Sequence, residues 1–286
     1  MRVARQQGEG EPEMTHNEPR SDGPLDARTV VGFYHVHLEY KDQMALRDVS
    51  FTVDNGEFLC LTGPSGAGKS SILRLIAMDA FPTQGEVIVR GMMAGTMTRR
   101  KVPQLRREIG FVFQDFRLLE DRTVQENVEF PQLVVGVDNA EMKRNVMRVL
   151  TQVGLWEKRH RYPRELSGGE QQRVAIARAM VGSPKILLAD EPTGNLDPVT
   201  AQDIVNLLFR INDGGTCVIF STHDHQIVRT FGQRVLVIED GQVASDVKRT
   251  RETDRSVSLA DRMYRPDREN DEKRAKGQAE SEKMYA

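Results

Sequence analysis

Apolar residues along this chain follow two rhythms. The runs 57–62, 185–190 and 216–221 are almost continuously apolar (Phe58-Leu59-Cys60-Leu61, Ile186-Leu187-Leu188-Ala189, Cys217-Val218-Ile219-Phe220), the pattern of strands covered on both faces. Between them, residues 71–78, 124–135, 140–153, 167–181 and 198–211 place apolar side chains at helical spacing with charges between, and Ser167 stands where an N-cap belongs. Residues 30–40 and 46–53 are β-branched and aromatic with partial alternation, and Asp54-Asn55-Gly56 marks a tight turn into 57–62. Further strands are predicted at 85–90 and 109–113, the latter apolar enough for burial on both faces. A closing hairpin is predicted where Asp240-Gly241 separates 234–239 from Gln242-Val243. Strands alternating with helices predict an α/β fold with a mainly parallel sheet, an N-terminal antiparallel β-subdomain and an inserted α-helical subdomain at about 115–180.

The rhythm is absent at both ends. Residues 1–28 are rich in Gly, Pro, Glu and Arg, and residues 247–286 alternate charges with only scattered Val257, Leu259, Met263 and Tyr264. Neither composition buries enough apolar surface to offset ordering, which predicts a disordered leader and a charged, disordered tail around one domain at 29–246. The net charge of −2 gives no global basic field, so no nucleic-acid partner is expected. No uncharged apolar run reaches the ~18–20 residues of a membrane span, and the leader has no secretory h-region. Cys60 and Cys217, both within apolar runs, read as buried thiols of a reducing compartment.

Chemistry concentrates at Gly63-Pro64-Ser65-Gly66-Ala67-Gly68-Lys69-Ser70, which fits G-x-x-x-x-G-K-[ST] between a predicted strand and a predicted helix that begins with Ser71. A glycine-rich turn into a helix N-terminus aims several N–H groups at one point, and the helix dipole favours negative charge there. Lys69 would reach the β- and γ-phosphates of a nucleoside triphosphate, and the Ser70 hydroxyl would hold Mg²⁺. Magnesium also needs a carboxylate oxygen, and Asp190 ends an apolar strand at the sheet edge where such folds bind ligands. Glu191 follows at once on an extended chain end, placed to polarise an attacking water. Taken alone, Asp190-Glu191-Pro192 merely ends a strand; the phosphate loop gives it a role. Gln114 and His223 end the neighbouring predicted strands, where an amide could ligate Mg²⁺ or the lytic water and an imidazole could sense the γ-phosphate. Each alone reads as structural, and only the other motifs raise it. Tyr40 offers a face for adenine, or is an ordinary core or surface tyrosine.

A second anion site is foreshadowed by Leu166-Ser167-Gly168-Gly169-Glu170-Gln171, two glycines behind a serine at a helix start. This stretch resembles the signature sequence of the ABC ATPases, and the order of motifs agrees with that family over about 29–246. By that resemblance Tyr40 stacks on adenine, Gly63–Ser70 is the Walker A loop and Gln114 the Q-loop residue. Asp190 and Glu191 are the Walker B aspartate and catalytic glutamate, Asn195-Leu196-Asp197 is the D-loop, and His223 is the switch histidine. The resemblance implies a P-loop NTPase core and a head-to-tail, ATP-dependent homodimer. Two ATP molecules would lie between one copy's Walker A loop and Ser167, Gly168, Gly169 and Glu170 of the other. The stretch from Ala189 to Asp197 is similar to the branch containing FtsE, LolD and MacB, and residues 106–119, with Thr123-Val124 and Glu126-Asn127-Val128, resemble the FtsE group. That likeness implies an FtsX-like integral membrane partner, a peripheral position on the cytoplasmic face of the inner membrane, and a role in cell division. The alternative is a LolD- or MacB-like ATPase for lipoprotein release or export. Soluble ABC ATPases of ribosomes or DNA carry two cores or long arms, absent here, and a degenerate module would lack Glu191 or His223.

Overall fold

The computed structural model describes residues 28–248 except 42, 225–226 and 229–232; the predicted leader and all but the first residues of the predicted tail lie outside them. Two sheets form. In the smaller one, β1 (Thr29–Tyr40) pairs antiparallel with β2 (Gln43–Asp54) and β4 (Gln84–Val89), and β4 with the two-residue β5 (Met92–Met93). The larger sheet runs β10-β9-β3-β8-β7-β6. Its strands β3 (Phe58–Thr62), β6 (Ile109–Val112), β7 (Ile186–Ala189), β8 (Cys217–Ser221) and β9 (Arg234–Glu239) are parallel. Only β10 (Gln242–Val247) returns antiparallel, through the turn at Asp240 and Gly241, both with positive φ. The predicted α/β architecture is therefore present.

Strand alternation divides the core in two. Leu59, Leu61, Ile186, Leu188, Ile219 and Ile238 point into an apolar layer with the smaller sheet and α1 (Lys69–Ile76). Phe58, Cys60, Leu187, Ala189, Val218 and Phe220 point the other way, against α3 (Val124–Val135), α4 (Asn139–Gln152), α5 (Gly168–Met180) and α6 (Pro198–Asp213). Helix α1 has no side-chain N-cap; Ile72, Leu73, Leu75 and Ile76, all with 0% exposure, anchor it instead. At roughly 1.5–3 kcal/mol for each buried side chain, packing outweighs the missing cap and leaves the first-turn amides facing the loop.

Three features differ from the sequence pattern. Strand β6 is an edge strand with half-buried Ile109 and Phe111, because no further strand covers its outer side. Helix α2 (Val102–Arg107) and β5 were not predicted, being too short for a period to show. Both cysteines are buried as expected, and burial pushes the Cys60 thiol up; burial, then Glu57 and Asp54, push that of Cys217 up to about 12. Among the described residues no helix is long and apolar enough to cross a membrane.

Candidate active site

The phosphate loop connects β3 to α1 and is pressed between β9 and β2. At Gly63, φ is +140°, and a Cβ would stand 1.9 Å from the Ile238 carbonyl oxygen; at Gly68, φ is +109°, and a Cβ would meet Ala45 O at 2.8 Å. Only glycine fits such approaches. The β9–β10 turn braces the loop from outside: Gly241 N donates to Ala67 O at 3.1 Å, and Gly241 O accepts from Arg47 N at 2.8 Å. Pro64, Ser65 and Gly66 form the exposed lip, Ala67 is buried behind it, and Ser70 and half-buried Ser71 open α1. The Lys69 ammonium donates to Gly63 O at 2.7 Å and Pro64 O at 2.9 Å, so two of its three protons hold it at the loop.

Next to the loop lies a chain of hydrogen bonds. Ser70 Oγ donates to Asp190 Oδ1 at 3.0 Å, Ser221 Oγ donates to the same oxygen at 2.7 Å, and Glu191 N donates to Ser221 Oγ at 2.9 Å. His223 Nδ1 then lies 3.1 Å from Glu191 Oε2. The expected extended conformation at Glu191 is not found: its φ is +46°, because its N–H turns back to Ser221 while its carbonyl accepts from Gly194 N at 3.1 Å. His223 stands two residues beyond β8 and Gln114 two beyond β6, so neither belongs to its strand proper. Ser221 was missed in the sequence, where it read as the last position of a buried strand.

The donor set suits magnesium. Ser70 and Asp190 present hard oxygens side by side, and among the described residues no cluster of three His, Cys, Asp or Glu could hold a metal ion. Magnesium commonly takes one or two protein oxygens and completes its shell with phosphate and water. Gln114 is placed differently: its side-chain Nε2 would be 3.1 Å from a Cβ on Gly194, and its backbone carbonyl accepts from Asn195 Nδ2 at 3.2 Å. Tyr40 ends β1, partly exposed, with the Arg74 guanidinium 5.6 Å from its ring centre.

The remaining candidates form a second group. Ser167 caps α5 in a capping box: its Oγ accepts from Glu170 N at 3.3 Å, and Glu170 Oε2 accepts from Ser167 N at 3.1 Å. Lys158 pairs with the other oxygen of Glu170, and this bond above all holds the Glu170 carboxyl below the ordinary range. Gly169 lies so close to α6 that a Cβ would stand 2.3 Å from Thr200 Cγ2, and Gly168 faces Leu196. Asp197 caps α6, accepting from Thr200 N at 3.0 Å and Val199 N at 3.1 Å; the Thr200 hydroxyl first, then these amides, lower its pKa. The structure thus gathers Ser70, Asp190, Glu191 and His223 at the phosphate loop, and sets the first turn of α5, through Gly168 and Gly169, against Leu196 and Thr200 on either side of Asp197. The segment 191–197 joins the two groups.

The sequence and the fold are matched by known proteins. The ABC transporter family profile matches residues 46–194, and the chain belongs to that family of ATPases. Within it, the chain is 51% identical to the cell division ATP-binding protein FtsE of Mycobacterium tuberculosis (strain H37Rv), over 75% of this chain and 94% of the relative. FtsE of Escherichia coli (strain K12) is 42% identical over 76% of this chain and 99% of its own length. Among solved structures, a dimeric post-hydrolysis ATP-binding cassette bound to ADP and Pi aligns with a TM-score of 0.70 at 36% identity, covering 77% of this chain and 99% of that one.

Proposed function

We propose that this chain binds and hydrolyses ATP as the cytoplasmic-face subunit of an FtsEX-like complex, and that ATP-driven dimerisation moves an integral membrane partner during cell division. The observation that carries the chemistry is the unbroken hydrogen-bond path from Ser70 through Asp190 and Ser221 to Glu191, with His223 at its end. The biological setting rests on relatives at 42–51% identity that are named as cell-division proteins, which favours this reading over lipoprotein release or export.

In this reading Tyr40 receives adenine, and the amides of residues 63–71 with Lys69 bind the phosphates. Ser70 and Asp190, with Gln114 as a third candidate, would hold Mg²⁺, which neutralises charge on the β- and γ-phosphate oxygens. Glu191 orients and polarises the attacking water, accepting its proton as the γ-phosphoryl group departs. His223 holds the Glu191 carboxylate from one side and reaches the γ-phosphate from the other. Ser167, Gly168, Gly169 and Glu170 of a second copy close over the same nucleotide, with the α5 dipole favouring its negative charge. The dimeric ADP-bound cassette supports that assembly.

The test is co-purification from detergent-solubilised membranes, using the Glu191→Gln form with ATP and mass spectrometry of what is retained. An FtsX-like protein with cell-wall or division proteins is expected. A lipoprotein-release or efflux permease in its place would overturn the cell-division assignment and leave the ATPase chemistry standing.

A further inference from the structure

Ser221 closes β8 with 0% exposure, and a polar side chain so buried has to find its partners within the protein. It finds one of each kind. Its oxygen accepts from Glu191 N at 2.9 Å, and its single proton goes to Asp190 Oδ1 at 2.7 Å, which fixes the direction of both bonds. Glu191 needs such a hold. A φ of +46° is sparsely populated for a residue with a Cβ and persists only where the surroundings impose it.

Two residues beyond Ser221, His223 Nδ1 lies 3.1 Å from the Glu191 carboxylate. A single short stretch at the end of β8 therefore grips Glu191 twice, by its amide and by its side chain. Without the serine hydroxyl the Glu191 N–H has no acceptor, its backbone relaxes toward an extended form, and the carboxylate swings away from His223. Asp190 would keep only the Ser70 hydroxyl, which is itself a candidate metal ligand.

We infer that Ser221 is a positioning residue for ATP hydrolysis: its hydroxyl locks Glu191 in the left-handed conformation that aims the carboxylate, and steadies Asp190 beside Ser70. This rests on Glu191 acting as the residue that polarises the attacking water. The position is distinct from the phosphate loop, the signature stretch and the switch histidine, and it acts through Glu191 without touching the nucleotide.

The test uses the full chain carrying Ser221→Ala, with Ser221→Thr as the variant that keeps the hydroxyl. Binding is read with a fluorescent ATP analogue, with and without Mg²⁺, turnover by phosphate release, and oligomeric state by light scattering. Ser221→Ala is expected to melt cooperatively and bind nucleotide within about twofold of the parent. Its kcat should fall on the order of 10²-fold with KM unchanged, since misaimed catalytic groups cost about that much. With Mg-ATP it should accumulate as a dimer, and adding Ser221→Ala to Glu191→Gln should reduce turnover no further. Ser221→Thr should restore most of the rate. Should Ser221→Ala not fold, Ser221→Cys, nearly isosteric and a weak hydrogen bonder, carries the same expectations. Wild-type turnover in the folded variant, or a loss of affinity as large as the loss of kcat, would overturn the inference. Wild-type turnover in Glu191→Gln alone would remove the catalytic assignment itself, a separate outcome.

Discussion

Lys69 carries the local logic of the phosphate loop, for its ammonium is already held at Gly63 O and Pro64 O by its own chain. It needs little ordering when phosphate arrives. Truncating it removes charge-assisted hydrogen bonds of roughly 1.5–3 kcal/mol, so Lys69→Ala should weaken ATP binding by about 10- to 10²-fold, measured by titration calorimetry. Unchanged affinity would remove Lys69 from the site. Such residues were legible in the sequence because their partners are near neighbours: Lys69 reaches back only six residues. Ser221 was not, because its partners lie 30 and 31 residues away. Arg234 was not either. A charged residue opening a strand reads as solvated, yet it is 6% exposed, paired with Asp246 at 2.7 Å and with Glu57 at 3.1 Å. It ties β9 and β10 to the β2–β3 turn, and only the fold brings those elements together.

At the scale of elements, the signature helix depends on its first turn. Ser167 and Glu170 satisfy each other's amides, and Lys158 reaches across 12 residues to Glu170. The folded-state pKa of Glu170 lies below its ordinary 4.5, first through the Lys158 bond. The unfolded chain therefore takes up this proton first as pH falls. The contribution is whole above about pH 4.5 and is lost as pH drops through the lower, folded value. The pair is largely solvent-facing, so screening keeps its worth below about 1 kcal/mol. Glu170→Gln should lower the melting temperature at pH 7, and the gap to the parent should narrow as pH falls below about 4.5. A gap that stays constant with pH would contradict the role of the pair. The N-cap at Ser167 was readable from residue type alone, as were the covered strands β3, β7 and β8. Strand β6 was legible as a strand, but the half-burial of Ile109 and Phe111 was not, since an apolar run cannot tell an edge position from a central one.

At the scale of the whole molecule, one mainly parallel sheet separates two apolar layers and carries the phosphate loop and helix α5 on the same chain. The loop with Asp190 and Glu191 lies at the strand ends, and the capped end of α5 meets Leu196 and Thr200. The order of motifs made this architecture legible, because each motif sits where a strand meets a loop or a helix begins. How the segment 191–197 links the groups was not legible, since that needs the turn at Glu191 and the close approach of Gly169 to Thr200. We propose that two copies close head to tail over ATP and that hydrolysis at Glu191 opens them again. Light scattering on purified Glu191→Gln, with and without Mg-ATP, together with its ATP turnover, tests this most directly. The account predicts a monomer that becomes a stable dimer on adding Mg-ATP, with turnover reduced on the order of 10²-fold or more. A Glu191→Gln protein that stays monomeric with bound ATP, or hydrolyses at the parent rate, would contradict it.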